Sequence, residues 1–248
     1  MSSLFTYTLR IADSSLILGQ RMSEWCSNGP TLEEDIAMSN ISLDMFGQAN
    51  GFYQYAAQLD DTKSADELAF RRNEREFFNH QLVEQENGNF GKTIVRNFLH
   101  DVFNFLFYTQ LANSKDETLS AMASKSLKEV KYHLRHSSNW LVRLGDGTNE
   151  SNAKTQVALE ELWMYTGELF EMDDLDIELL NSGIAVDNSA LKSEWDRMVN
   201  NTLAKAKLTR PEDAYMATGG KKGLHTEYLG FILSEMQFLQ RAYPNAKW

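Results

Sequence analysis

Apolar residues recur along this chain at the three-to-four spacing of helices and show no alternating run bounded by hairpin turns, so the pattern predicts an all-α protein. Ile11, Leu18, Met22 and Trp25 mark a first helix over about 3–27, which Asn28-Gly29-Pro30 stops. Thr31, with Glu34 three residues on, reads as a capping box that opens a second helix to about Leu59. Leu32, Ile36, Leu43, Phe46 and Tyr53 fall near one face of it. A charged stretch over 64–78 predicts one short helix, and 80–91 reads as irregular.

The third long helix, about 92–114, is apolar almost all round, from Ile94 and Val95 through Phe98, Leu99, Val102 and Phe103 to Leu111. Such a helix is buried on several sides, and a partner chain is expected to cover one of them. A fourth helix over about 115–144 carries Ala123, Leu127, Val130, Leu134 and Leu141 as its stripe, and Gly145 reads as its C-cap. Further helices are expected over about 151–170, 189–207 and 225–242, with 171–176 a solvated acidic loop and 243–248 a tail. Two helical hairpins in series followed by a helical extension make a ferritin-like four-helix bundle with additional C-terminal helices: one domain over 1–248, with the core bundle over about 3–144 and the extension over about 150–248.

Composition narrows the classes. The 248 residues suffice for a sizeable core, and the three prolines all lie beside helix boundaries. A net charge of −11 argues against a nucleic-acid surface. No apolar run is long enough to span a membrane, and residues 1–25 do not read as a signal peptide. Cys26 is the only cysteine, which excludes an internal disulfide and fits a reducing, cytoplasmic setting.

Bundles of this kind often hold two irons between a Glu from each of two helices and Glu-x-x-His from each of the other two. This chain has no Glu-x-x-His: three residues before His80, His100, His133, His136 and His225 stand Phe77, Asn97, Val130, His133 and Lys222. In the second helix the candidate frames are Asp44-x-x-Gly47 and Met45-x-x-Gln48; in the fourth they are Glu129-x-x-Tyr132 and Val130-x-x-His133. Asp101 stands where a bridging carboxylate would sit, and Asp13 is the acid nearest the equivalent place on the first helix. One reading is a residual metal site built from Asp44, Asp101, Glu129 and His133; the other is a buried polar network, in which such groups need partners and no metal. The stretch from Thr218 to His225, with Lys221 and Lys222, could meet a phosphate or a partner's acidic surface, although its spacing is not that of a P-loop. No nucleophile motif stands out.

Several stretches carry a family resemblance: Tyr7-Thr8-Leu9-Arg10 with Asp13, Gln20-Arg21 with Glu24-Trp25-Cys26, Asp44-Met45-Phe46-Gly47-Gln48-Ala49, Val83-Glu84-Gln85 with Asn87-Gly88-Asn89-Phe90, Lys128-Glu129 with Tyr132-His133-Leu134-Arg135, and Thr218-Gly219-Gly220-Lys221-Lys222-Gly223-Leu224-His225-Thr226-Glu227. Together they resemble the C-component family of the bacterial phenylacetyl-CoA epoxidase over nearly the whole chain. The resemblance implies a multicomponent oxygenase that uses O₂ and reducing equivalents to form the ring-1,2-epoxide of phenylacetyl-CoA. In it the di-iron centre belongs to a ferritin-like A component, a reductase supplies electrons from NADPH, and a small B component helps assembly. The C component is implied to be a non-catalytic structural subunit, to hold no cofactor and to pair with A; a homodimer is the association left open for the chain alone. Under this resemblance His133 is a retained motif histidine with Val130 in place of a ligand Glu, and Met45 and Gln48 replace the Glu and His of the first motif. The competing readings are an oxygenase with its own unusual iron ligands and a stand-alone helical binding protein.

Overall fold

The computed structural model describes residues 2–244 and 246; Met1, Asn245, Lys247 and Trp248, and with them parts of the expected tail, lie outside the described residues. In chain order the helices are α1 (Ser3–Ser23), α2 (Leu32–Leu59), α3 (Ala65–Phe70), α4 (Gln81–Glu84), α5 (Phe90–Leu111), α6 (Glu117–Gly145), α7 (Asn149–Trp163), α8 (Asp174–Asn181), α9 (Asn188–Lys205), α10 (Glu227–Met236) and α11 (Phe238–Ala242). No strand occurs among the described residues, and the class is all-α and ferritin-like. No helix is long and apolar enough to cross a membrane among the described residues. The chain forms two compact units, residues 1–86 with 219–248, and residues 87–218, so the segment after α6 is divided between them.

The first unit is built on the hairpin of α1 and α2. Ser2 caps α1 by accepting from Phe5 N at 3.2 Å. α1 ends at Ser23, four residues before the expected stop, and Ser27 turns the chain with φ +68°. Thr31 accepts from Glu34 N at 3.4 Å to open α2. Here the expected apolar face is corrected in its first part: Leu32, Ile36 and Leu43 are 73%, 53% and 65% exposed, whereas Phe46 is half-buried and Tyr53 is buried as expected. α2 carries two apolar lines, and the one that packs is Met38, Ile41, Met45, Ala49, Phe52 and Ala56. The approach to α1 is close at Gly19, whose carbonyl accepts from Ser42 Oγ at 2.8 Å and whose missing side chain makes room for Met45 and Phe46. The expected helix over 64–78 is cut short at Phe70, because Arg72 turns inward to the core. The segment expected to be irregular holds the single turn α4. The last expected helix divides at Gln237, a buried side chain whose Nε2 donates to Ala69 O and Arg72 O at 3.4 and 3.0 Å.

In the second unit α5 is the central helix. Asn89 caps it, accepting from Lys92 N at 3.0 Å. Residues 93–104 are all buried, and the cover comes from the chain's own α6, α7 and α9. The expectation that a partner covers one side of this helix is therefore corrected: Trp195 of α9, fully buried, fills that side and donates Nε1 to Leu99 O at 3.0 Å. The expected 151–170 helix ends at Trp163, and Val157 faces outward at 52% exposure while Thr155, Ala158, Leu159 and Leu162 face inward. The acidic run is loop only up to Asp173, which with Asp176 forms a capping box that starts α8. Gly145 stays helical, and its role is close approach, since a Cβ there would lie 2.2 Å from Ala206 O.

Gly145→Ala must push the end of α6 away from Ala206 and disturb the bond from Asn152 Nδ2 to Gly145 O at 2.7 Å. A loss of about 1–3 kcal/mol is expected in chemical denaturation followed by circular dichroism.

Candidate functional site

On α2 and α6 the frames that point inward are Met45 with Gln48 and Val130 with His133, exposed by 1%, 5%, 0% and 1%. Asp44 and Glu129 are half-buried, and Gly47 and Tyr132 lie at the surface. Asn40, Asp44 and Gln48, spaced by four along α2, are exposed, half-buried and buried in turn. A thioether and an isopropyl group occupy the two inward positions where the motif needs carboxylates, and a carboxamide stands at one of its two histidine positions, so these residues do not fit a di-iron carboxylate centre. Among the described residues no three His, Cys, Asp or Glu side chains converge as a metal site.

In the second unit Asp101 of α5 is buried and accepts from Ser137 Oγ at 2.7 Å. Burial raises its carboxyl to about 6, opposed by the neighbouring His133 and by the bond from Ser137. His100, one residue earlier, is lowered to about 3 by burial and by Arg96, so its ring is neutral and its Nδ1 accepts from Asn104 Nδ2 at 3.2 Å. Asp101, Ser137 and His133 therefore lie together in a buried polar group, while Glu129, one turn before His133 on α6, is half-buried.

Two networks in the first unit escaped the sequence reading. Asp13 is fully buried and accepts from Tyr53 Oη at 2.6 Å, from Phe78 N at 2.8 Å and from both terminal nitrogens of Arg72, one of them at 3.1 Å. The Arg72 guanidinium also lies over the Phe77 ring at 4.1 Å. Burial, and then the Asp13 charge, push the Tyr53 phenol well above its ordinary value. The only prior signal was an acid in the middle of an apolar helix.

The second network centres on Glu84, fully buried. Its carboxylate accepts from Asn79 Nδ2 at 2.9 Å, Thr226 N at 2.6 Å and Thr226 Oγ1 at 2.8 Å, and it meets His225 Nδ1 at 2.9 Å. His225 Nε2 faces Phe77 O at 2.9 Å. A carbonyl only accepts, so Nε2 carries a proton, and the proton between Nδ1 and Glu84 is shared by the pair. Thr226 is the N-cap of α10, so Glu84 supplies the anion that this helix start favours.

The glycine and lysine loop is fastened down by these contacts. Gly219 and Gly223 have φ of +116° and +72°, and a Cβ at Gly223 would lie 2.3 Å from Arg75 O. Gln81 Nε2 holds Leu224 O at 2.9 Å. Lys221 is 8% exposed and has partners within the chain, whereas Lys222 is exposed, so the two lysines do not share one surface.

Arg72→Met leaves the Asp13 charge buried without its cation, and a loss of about 3–5 kcal/mol is expected in urea unfolding. Asp101 makes a pH prediction. Folded, it holds its proton up to about 6; unfolded, it releases it near about 4. The folded form binds the proton more tightly in that window, so the Asp101 contribution makes stability fall as pH rises from about 4 to about 6 and then level off. Asp101→Asn should remove that part of the slope in melts taken across the window; an unchanged slope would assign it to other groups.

The profile of the phenylacetic acid catabolic protein family matches residues 1–248. The chain is 48% identical over 248 residues to the C component of 1,2-phenylacetyl-CoA epoxidase from Escherichia coli (strain K12), and the match covers 100% of both chains. The chain belongs to the phenylacetic acid catabolic protein family.

Proposed function

We propose that this chain is a non-catalytic structural subunit of a phenylacetyl-CoA 1,2-epoxidase complex in aerobic phenylacetate degradation. It pairs with a ferritin-like A component that holds the di-iron centre, and it stabilises that component; the complex also contains a B component and a reductase, in the cytoplasm. The observation that carries this reading is the end-to-end identity with the C component of an epoxidase, joined to the side chains at the inward positions. Met45, Gln48 and Val130 pack where ligands would stand, and Asp101 is engaged by Ser137. The polar group around Asp101 and His133 then serves to fix the position of α5 against α6. In the glycine and lysine loop, Lys222 is the residue left at the surface to meet a partner's acidic face or a CoA phosphate.

The test is the iron content of the purified chain after anaerobic loading with ferrous iron and desalting, followed by co-purification with the di-iron paralogue. No stoichiometric iron and stable co-purification are expected, and His133→Ala should lower stability or partner binding without changing bound metal. About two irons per chain would overturn the structural reading in favour of an oxygenase that binds iron through Asp44, Asp101, Glu129 and His133.

A further inference from the structure

The buried line of α6 is Leu119, Ala123, Ser126, Val130, His133, Ser137 and Leu141. Directly opposite it stand Lys125, Lys128, Lys131, Arg135 and Arg143, all exposed. At about 100° per residue these five cations fall within an arc of about 120°, and at about 1.5 Å per residue they extend over about 27 Å. The only acids of this helix are Glu117 at its start and Glu129, half-buried at the side. The strip is therefore of one sign, in a chain with 35 acids against 24 Lys and Arg.

A solvated helix face ordinarily interleaves its charges as local pairs. Other surface cations of the same unit do so: Lys154 meets Glu150 at 2.6 Å, Arg197 meets Glu194 at 2.5 Å and Lys207 meets Asp146 at 2.5 Å. Among the described residues none of the five α6 cations makes an ion pair or a side-chain hydrogen bond. Arg135 lies over Tyr132 at 5.5 Å and Arg143 over Trp140 at 5.3 Å, contacts that hold a guanidinium in place without neutralising it. Tyr132 is itself 38% exposed. Arg, Tyr and Trp together are the residues that protein interfaces enrich.

We propose that the outward face of α6 is a docking strip for an acidic helical face of another protein in the complex. This rests on the reading of the chain as part of a multisubunit assembly. The shape selects the occupant. The cations diverge along a convex helix and form no pocket, so they cannot converge on a single phosphate or a free small anion. The net charge of −11 repels an extended polyanion such as duplex nucleic acid or an anionic membrane at long range. A straight acidic face about as long as the strip places its charges close to these five and keeps the remaining acids at a distance.

The experiment is co-expression of the full chain with the A, B and reductase components, with assembly followed by sedimentation at low and high NaCl. One variant carries Lys128→Glu, Lys131→Glu and Arg135→Glu; a control makes the same change in net charge through Lys154→Glu, Arg197→Glu and Lys205→Glu. Circular dichroism melts of both variants verify the fold. The strip variant is expected to weaken assembly by about tenfold or more at low salt and by less at high salt, with the control close to wild type. Equal assembly of wild type and strip variant, with the same salt dependence, would overturn the proposal. So would strip-dependent binding of wild type to anionic phospholipid vesicles or duplex DNA. Failure of the wild-type chain to assemble with any of the other components would sink the reading of it as part of a complex, and the docking strip with it.

Discussion

Asp13 lies on the buried side of α1, its charge shut off from bulk solvent, and four donors from three later positions converge on it. Tyr53 brings α2 to it, while Arg72 and Phe78 bring the connection that follows α3. A buried ion pair adds little net stability over a well-packed apolar pair, but it punishes every arrangement in which the partners are apart. That constraint explains why a charged, weakly helical stretch folds back as ordered chain. Once Arg72 is committed, its backbone carbonyl and that of Ala69 become the anchors for Gln237, and the segment carrying α10 and α11 is tied to the same place.

The second unit is held together differently. Its organising element is the helix α5, which buries apolar and polar residues alike on every side. Arg96, Asn97, His100, Asp101 and Asn104 are all in that interior. Packing on three sides by α6, α7 and α9 leaves their polar groups only one another and nearby backbone to bind. Asp101 illustrates the result: it lies next to the His133 imidazole and accepts a hydrogen bond from Ser137 of the facing helix. Any polar side chain in that interior must be satisfied there, whatever else the position does.

Much of the helix pattern was legible, because caps and breakers are local. Thr31, Asn28-Gly29-Pro30 and the start of the final helices could be read within a few residues of each boundary. The residues offered two i, i+3 frames in each of α2 and α6, and burial distinguishes them: Met45 with Gln48 and Val130 with His133 face the interior. What could not be read depends on long-range pairing. Nothing near Asp13 announces Arg72, 59 residues away, and nothing near Glu84 announces His225. On α2, two apolar lines of similar strength gave periodicity no means to choose between them. For α5, an all-round apolar surface shows that cover exists, and does not show whether it comes from the chain itself or from another chain.

The bonds from Glu84 to His225 and Thr226 join the two ends of the first unit, with the second unit lying between them in the chain. This order has a consequence for synthesis. Residues 87–218 are contiguous, so that unit has all its parts once residue 218 is clear of the ribosome, and domains generally fold as units during synthesis. The first unit begins earlier and finishes later. Its α1 and α2 hairpin must wait, with Glu84 still short of its partners, until residues 219–246 arrive. The hairpin made before the second unit is thus completed after it, and for that interval its open face is what a chaperone or a partner translated nearby would meet.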